Sequence, residues 1–216
     1  MSKTKTASEL HSHVPPDWYH ASIKRNLLQR IWHYSRFYEV RKVIEPTKGK
    51  ILDIGSADGV FTNIILKKSN AFSIIGIDCL QSSVDWANKH WKRTKKLKFE
   101  VGDAHKLSFP SNTFDAVFAL EVMEHVFKPE KVFVEMKRVL KKGGYIVILV
   151  PSDNKLFLAI WWFVKKFWWA RIWEDTHVQS FTGSKLPKAI KKAGFKIEID
   201  KAFWLGMLHL VKARKV

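Results

Sequence analysis

The sequence predicts an α/β fold in which helices cover both faces of a mostly parallel β-sheet. From residue 50 onward, short apolar runs alternate with helix-like stretches at a pitch typical of β-α-β units. Most of these runs are too continuously apolar for strands exposed on one face, which indicates strands buried on both sides. The predicted strands are Lys50–Ile54, Ser73–Asp78, Leu97–Val101, Phe114–Leu120 and Tyr145–Val150.

Helices are expected in the intervals between these strands. The predicted helix Pro129–Leu140 begins with a proline in its first turn. It is followed by Lys141-Lys142-Gly143-Gly144, a sequence that favours the end of a helix. Farther along, a helix over Ser184–Lys192 ends at Gly194, and the runs Phe195–Asp200 and Met207–Ala213 predict a hairpin at the sheet edge. The three helices between the strands are Val60–Lys68, Ser82–Trp91 and Pro129–Leu140.

An N-terminal helical cap, residues 17–46, is predicted before the first strand. Apolar residues recur there at intervals of four, four, three and four, the period of one face of a long helix that Pro46 ends. We expect this face to pack on the sheet. The alternative is that the helix covers an active site, with Trp18, Tyr19 or His33 contacting substrate. The residues of the face are Ile23, Leu27, Ile31, Tyr34 and Tyr38.

The composition limits the class of protein and its compartment. The chain has 216 residues, of which 46% are hydrophobic and one is cysteine. We expect a single domain over residues 17–216, preceded by a flexible basic tail over residues 1–16. One cysteine excludes a disulfide framework and a multi-cysteine metal site. The tail has no apolar stretch typical of a secretory signal, and the longest apolar run, Leu156–Val164, is about half of a membrane span. A cytoplasmic protein is therefore expected.

The charge predicts which partners are attracted. The chain carries 38 Lys and Arg against 20 Asp and Glu, a net charge of +18, which favours polyanions. Both an anionic membrane surface and nucleic acid fit this sign. Nucleic acid is the less favoured partner, because the basic residues are not confined to one stripe and no RNA-binding module is visible. The sequence does not indicate an oligomeric state.

The turn after the first strand carries the clearest functional signal. Residues 50–62 run from a buried strand through a glycine-containing turn into a helix, as in sites where a nucleotide-like ligand approaches the backbone. Gly55 and Gly59 are four apart, unlike the dinucleotide fingerprint, and Asp53 and Asp58 would repel a pyrophosphate. Carboxylates suit a cofactor with a cationic centre and an ammonium, and Asp78 ends the next strand where ribose hydroxyls are expected. This combination favours S-adenosylmethionine (SAM).

Four motifs in order then resemble one family. The segments ILDIGSADGVFT, IIGIDCLQSSV, VGDAHKLSFPSNTFDAVFALEVMEHV and MKRVLKKGGYIVILVPS are similar to those of class I SAM-dependent methyltransferases, in particular the type 11 small-molecule group. The resemblance covers about Ile51 to Ile199. It implies a Rossmann-like fold with a seven-stranded, mostly parallel sheet whose last strand is antiparallel.

The same resemblance implies a cofactor site. The glycine turn would frame the methionine end, Asp78 would hold the ribose hydroxyls, and Asp103 with Ala104 would read the adenine. The family has glycine where this chain has Ala57; a methyl group is tolerated there if φ is negative, and a positive φ would prevent binding. The implied residues are Asp53, Gly55, Ser56, Ala57, Gly59, Asp78, Cys79, Asp103 and Ala104.

Two histidines are candidates for catalysis, His125 and His177. Methyl transfer from a sulfonium needs orientation, exclusion of water and, for an oxygen nucleophile, removal of a proton. The spacing Glu121-x-x-Glu124-His125 also resembles a divalent-metal site in ubiquinone-biosynthesis O-methyltransferases and small-RNA 2′-O-methyltransferases, where a later histidine, here His177, completes the set. A base without metal and a purely structural histidine remain alternatives.

A tryptophan-rich amphipathic insertion is predicted over residues 155–176. Three interpretations remain open: a helix lying on a membrane surface, a lid over a hydrophobic acceptor, or an oligomer interface. Five of the ten tryptophans of the chain fall within it, namely Trp161, Trp162, Trp168, Trp169 and Trp173.

The predicted function is methyl transfer from SAM to a hydrophobic small-molecule or lipid-like acceptor, with a membrane surface as one place of action. The first alternative is an RNA methyltransferase, whose binding would fall steeply with salt. The second, from another class, is a non-catalytic membrane-interaction protein on the same fold.

Overall fold

The computed structural model describes residues 7–152, 158, 159, 162 and 178–216. Within them, seven strands form one sheet in the order β3-β2-β1-β4-β5-β7-β6. All five runs predicted in the first part of the chain are strands, and so are the two runs of the C-terminal hairpin. The strands are β1 Lys50–Ile54, β2 Ser73–Asp78, β3 Leu97–Val101, β4 Phe114–Leu120, β5 Leu140–Pro151, β6 Phe195–Phe203 and β7 Leu208–Lys215.

The strand directions confirm the predicted sheet. Strand β1 pairs in parallel with β2 and β4, β2 with β3, and β4 with β5. Strand β7 inserts between β5 and β6 and runs antiparallel to both. Because the first five strands are parallel, their carboxyl ends lie at one edge of the sheet, and the loops after β1 to β4 meet there.

Helices pack on both faces of the sheet, as predicted. On one face α3 and α4 bury Phe37 and Phe61; on the other α6 and α7 bury Phe133 and Ile190. Alternate residues of each central strand fill the two layers. The helices are α1 Ala7–His11, α2 Trp18–Arg25, α3 Leu27–Val43, α4 Val60–Ser69, α5 Gln81–His90, α6 Pro129–Val139 and α7 Lys185–Lys192.

The N-terminal part differs from the prediction in two ways. The long helix is interrupted at Asn26, which ends α2 and whose side chain caps α3 by accepting hydrogen bonds from the N–H groups of Leu28 and Gln29. The face expected to pack on the sheet is the wrong one, because four of its five residues are exposed. A second apolar stripe packs inward instead. The exposed residues are Leu27, Ile31, Tyr34 and Tyr38, and the inward stripe contains Phe37, Val40 and Val43.

The fifth strand begins earlier than predicted. Helix α6 ends at Val139, and β5 starts at Leu140 and includes the residues predicted as a helix stop. The β4–β5 ladder shifts register between Phe114 and Ala116, which accommodates Lys141 to Gly144 as an irregular start of the strand.

The segment after β5 lies mostly outside the described residues. This applies to the predicted insertion, residues 155–176, apart from residues 158, 159 and 162, and to His177. In the described part of the chain, none of the helices combines the length and the apolar character that crossing a bilayer requires.

Candidate active site

A cavity of about 560 Å³ lies at the carboxyl edge of the sheet, within the range typical of small-molecule sites. Its floor comes from the loops after β1 to β4, through Gly55, Asp78, Asp103 and Glu121. Its opposite wall comes from the N-terminal residues and α2. Parts of residues 7–16, a range the sequence predicts as a flexible tail, therefore line the cavity.

The glycine turn after β1 has the left-handed conformations that its sequence suggests. The φ angle is +69° at Gly55 and +76° at Gly59, and a Cβ at Gly59 would come 2.5 Å from the ring of Phe99. The N–H groups of Gly55 and Ser56 both donate to the Ile77 carbonyl, at 2.8 and 2.9 Å, which fixes the turn against the end of β2. Side chains other than hydrogen are thus excluded at both glycines.

Ala57 adopts the unfavourable of the two conformations considered for it. Its φ is +44°, not negative, which costs an L-residue roughly 1–2 kcal/mol. The Ala57 N–H donates to Asp78 Oδ2 at 2.9 Å, and this bond holds the strained residue in the cavity wall. The position keeps the backbone path of the glycine that the family resemblance places there, and Ala57 still lines the cavity. The expectation that a positive φ would prevent binding is therefore too strict, because the positive φ costs strain energy but leaves the turn in place.

Three residues predicted to bind the cofactor, Asp53, Ser56 and Gly59, do not line the cavity. Asp53 is buried at the end of β1 and accepts a hydrogen bond from the Thr62 hydroxyl at 2.6 Å. Burial, helped by nearby Asp78 and opposed by the Thr62 hydrogen bond, raises the pKa of its carboxyl group to about 7. Ser56 is also buried, and Gly59 is the N-cap residue of α4. These residues support the turn from behind.

Asp58 has a role that the sequence did not predict. Its Oδ2 accepts a hydrogen bond from the backbone N–H of His20 at 2.7 Å, in the first turn of α2, and its Oδ1 accepts one from Val60 at 3.2 Å. Asp58 thus caps two helices, one of them far away in sequence. Burial raises the pKa of its carboxyl group to about 6. The carboxylate ties α2 to the glycine turn.

The other residues predicted for the cofactor do line the cavity: Gly55, Ala57, Asp78, Cys79, Asp103 and Ala104. Asp78 accepts hydrogen bonds from the N–H groups of Ala57 and Leu80 at 2.9 and 3.0 Å, which orients its carboxylate. Asp103 is mostly exposed and accepts bonds from the backbone and ring of His105, both at 2.8 Å. Burial raises the pKa of the Cys79 thiol to about 12, so it is a neutral wall group.

Glu121 follows β4 in a strained conformation, with φ at +59°. The Arg36 guanidinium donates to its Oε2, and the Tyr19 hydroxyl lies 3.5 Å from the same oxygen. Arg36 also donates to His33 Nδ1, so the His33 Nε2–H donates to Ser22 Oγ, 2.9 Å away. Burial and the adjacent guanidinium lower the pKa of His33 to about 2, so its ring is neutral.

His125 reaches the cavity from a short 3₁₀ turn, Met123–His125, beside the glutamates of the predicted metal site. The His125 Nε2 is 4.0 Å from Glu124 Oε1, and the His11 ring packs edge-on against His125 at 4.7 Å. Among the described residues, no three His, Cys, Asp or Glu side chains are grouped closely enough to hold a metal ion. Glu121 is instead paired with Arg36. The fourth predicted ligand, His177, is outside the described residues.

Comparison with known proteins agrees with this geometry. A family model described as a methyltransferase domain, of type 11, matches residues 52–148, which include the glycine turn, Asp78, Asp103 and His125. The chain belongs to the class I SAM-dependent methyltransferases. The methyl donor of this methyltransferase is therefore SAM.

Relatives of the methyltransferase bear names that differ in acceptor. The demethylmenaquinone methyltransferase of Thermotoga maritima is 28% identical over 202 residues, covering 84% of this chain and 87% of that protein. A sterol 24-C-methyltransferase of Neurospora crassa is 40% identical over 98 residues, 44% of this chain. This chain spans only 26% of that sterol enzyme.

Solved structures share the fold of the methyltransferase at low sequence identity. A methyltransferase bound to the Trm112 activator of Haloferax volcanii superposes with a TM-score of 0.73 at 16% identity, covering 93% of this chain and 97% of that one. Geranyl diphosphate methyltransferase, in complex with GPP and sinefungin, gives 0.70 at 13% identity, covering 88% of this chain and 79% of that one.

Sequence reasoning missed part of the methyltransferase site. Trp18 and Tyr19 line the cavity, as the cap hypothesis required, but His33 lies behind it. Arg36 is not among the predicted residues; its signal in the sequence is an arginine within the apolar stripe of Phe37, Val40 and Val43, which indicates a buried ion pair. The walls contributed by His105 and Phe127 have no sequence signal, because they depend on how the loops after β3 and β4 meet.

Proposed function

We propose that the methyltransferase acts on a hydrophobic, lipid-like acceptor taken from a membrane surface. The main support for this proposal is that the two sides of the cavity differ in chemistry. One side contains the carboxylates Asp78, Asp103 and Glu121 and the glycine turn. The other, from the N-terminal residues and α2, contains mainly apolar and aromatic groups: Val14, Pro15, Pro16, Trp18 and Tyr19, beside Ser8 and His11. A cationic cofactor suits the first side, and an apolar acceptor suits the second.

The residues present fit the cofactor. SAM supplies a methyl group bonded to a sulfonium. When the methyl group is transferred, the sulfur leaves as a neutral thioether, so no acid is needed to protonate it. Asp78 is oriented to accept hydrogen bonds from two ribose hydroxyls, and Asp103 with Ala104 would contact the adenine. The backbone of Gly55 and Ala57 would frame the methionine end, supported from behind by Asp53, Ser56 and Gly59.

His125 is the proposed group for the acceptor proton. It lies on the cavity wall after β4, and an imidazole is the side chain that most often takes a proton from a substrate hydroxyl. His177 is a second proposed catalytic histidine. For an acidic or carbon nucleophile the requirement is weaker, because orientation and exclusion of water by the cap supply much of the rate.

The names of the relatives support the acceptor class. Demethylmenaquinone and sterols are hydrophobic molecules, and the methyltransferases named for them are similar to this chain in sequence. The net charge of +18 supports an anionic surface as the place where such an acceptor is found.

The proposed function is tested by methyl transfer from radiolabelled SAM. The purified protein is incubated in parallel with a lipid extract, with demethylmenaquinone in detergent, and with total RNA, and label is counted after organic extraction. We expect label in the organic phase, and much less of it with an Asp78→Asn variant at a low concentration of SAM. Label recovered only in RNA would replace the acceptor proposal and leave the family assignment intact.

A further inference from the structure

The outward face of α3 is a row of apolar side chains that the fold leaves uncovered. Its members Leu27, Leu28, Ile31, Tyr34 and Tyr38 are between 49% and 73% exposed. They repeat at helical spacing on the side opposite the inward stripe, so the helix presents one apolar face to the sheet and another to its surroundings. Soluble proteins rarely expose a contiguous row of this kind unless it binds something.

The turn between β6 and β7 extends this face. The Trp204 ring packs against Trp32 of α3 at 5.2 Å, and its Nε1–H donates to Ser35 Oγ at 2.7 Å, so the turn is fixed to the helix. Leu205 at its tip is 82% exposed. Trp204 and Leu205 have φ angles of +53° and +54°, a conformation in which bulky residues are strained. The chain therefore uses a costly turn to hold an apolar side chain outward.

The charge around this face is mostly positive. Residues 18–43 contain six Lys and Arg, of which Arg36 is buried, and one acidic residue, Glu39. Glu39 is engaged by Lys42 at 3.4 Å and by Lys201 at 2.6 Å, which lowers the pKa of its carboxyl group against the effect of burial. Exposed Arg30 and Arg41 lie along one side of the apolar row. The face is thus apolar in the middle and cationic at its border.

We propose that this surface, the α3 outer face, binds an anionic lipid bilayer, with α3 lying in the plane of the interface. The α3 outer face comprises Leu27, Leu28, Arg30, Ile31, Tyr34, Tyr38, Arg41, Trp204 and Leu205. An in-plane helix buries apolar groups below the headgroups, keeps tyrosine and tryptophan at that level, and pairs its border of Lys and Arg with anionic lipids. The exposed Arg30 and Arg41 beside the apolar row favour an anionic bilayer over a protein partner.

The position of α3 next to the cavity-lining helix α2 also fits the proposed reaction. Helix α2, which precedes α3, contributes Trp18 and Tyr19 to the apolar wall of the cavity. Docking through α3 would place that wall close to the bilayer that holds the acceptor. This inference rests on the membrane part of the proposed function, and it assigns the contact to a surface other than the tryptophan-rich insertion.

The test is co-sedimentation with vesicles of phosphatidylcholine and phosphatidylglycerol, with pure phosphatidylcholine vesicles for comparison. The triple variant Leu27→Gln, Leu28→Gln, Ile31→Gln should bind at least about tenfold more weakly, because it removes the apolar contacts. Its matched control is Phe72→Gln with Val134→Gln, which changes equally exposed apolar residues elsewhere and should bind normally. Binding should also be much weaker to vesicles without phosphatidylglycerol.

Two further variants, one of the arginines and one of the β6–β7 turn, test whether vesicle binding uses this surface. Arg30→Gln with Arg41→Gln should weaken binding on the order of tenfold, whereas Lys67→Gln with Lys68→Gln on α4 should change it little. Leu205→Gly should raise the Tm, because glycine tolerates the positive φ, and still weaken vesicle binding. Loss of binding in a more stable protein cannot be attributed to unfolding.

The outcomes separate this inference from the proposed function. Normal vesicle binding by the triple variant would overturn the assignment of the α3 outer face. Absence of vesicle binding by the unmodified protein would also overturn it, as would a dimer that the triple variant converts to a monomer without a change in vesicle binding. Methyl transfer to a detergent-dispersed acceptor tests the proposed function independently, and the triple variant should retain it.

Discussion

Arg36 of α3 forms an ion pair with Glu121 at the end of β4, and both side chains are largely buried. The pair joins the N-terminal helices to the strand edge on which the cavity is built. The Arg36 guanidinium also lies over the ring of Trp32, 5.5 Å from its centroid, and donates to His33. Because removal of one member leaves the other charge buried, the pair controls how firmly α2 and α3 cover the cavity.

Arg36→Leu is expected to destabilise the fold by about 3 kcal/mol, because the Glu121 carboxylate then loses its cation. Glu121→Gln should cost less, since its amide oxygen still accepts a hydrogen bond from Arg36. The measurement is urea unfolding. The double variant Arg36→Leu, Glu121→Leu should recover part of the loss, because no unpaired charge remains. A loss in the double variant equal to the sum of the losses in the single variants Arg36→Leu and Glu121→Leu would show that the pair is not coupled.

The sequence predicts the sheet well because its strands are continuous apolar runs with short connections. It fails at α3 for a definite reason. That helix has two apolar stripes, one through Ile31 and Tyr34 and one through Phe37 and Val40, and periodicity alone does not determine which one faces the sheet. The choice depends on tertiary contacts, above all the Arg36–Glu121 pair.

Part of the candidate site could also be predicted from the sequence, and part could not. The carboxylates at strand ends and the glycine turn are local features, so their place at the cavity could be predicted. That Asp58 caps α2 depends on a helix that precedes the motif by some 40 residues in the chain, whereas Asp53 is held behind the turn by Thr62, nine residues away. Long-range hydrogen bonds of this kind leave no mark on local spacing.

Ala57→Gly should stabilise the protein by about 1 kcal/mol, because glycine adopts the φ of +44° without strain. The affinity for SAM should be equal or higher, since the N–H bond to Asp78 is retained. Thermal unfolding and calorimetry measure the two effects. Ala87→Gly in α5, where the helix disfavours glycine, is the control and should destabilise. Destabilisation at both positions would contradict the strained geometry.

Asp78→Asn should weaken SAM binding on the order of tenfold to a hundredfold, because it removes charge-assisted hydrogen bonds to the ribose hydroxyls. Isothermal calorimetry provides the measurement, and circular dichroism checks that the fold persists. Asp85→Asn, on the exposed side of α5, is the matched control and should bind SAM normally. Unchanged affinity in Asp78→Asn would show that the cofactor does not use this carboxylate.

His125→Gln should lower kcat by a factor of about a hundred or more for an oxygen acceptor, if the ring removes the proton, and should leave the SAM affinity nearly unchanged. The same assay with a chelator tests the alternative of a metal. Activity that survives chelation but not the substitution supports the histidine acting alone. Normal turnover in His125→Gln would show that this residue has only a structural role.

The pH dependence of stability offers a test of the buried carboxyl group of Asp53. Its folded-state pKa of about 7 is above the value of about 4 in an unfolded chain. The folded state therefore holds this proton more tightly, and the stability that the protonated group contributes is present below pH 4 and is lost as pH rises through 7. The variant Asp53→Asn removes the ionisable group and keeps a side-chain oxygen that can accept the hydrogen bond from the Thr62 hydroxyl. We expect urea unfolding between pH 5 and 8 to show the unmodified protein losing stability relative to the variant as pH rises. A constant difference across that interval would mean that Asp53 ionises at an ordinary pKa despite its burial.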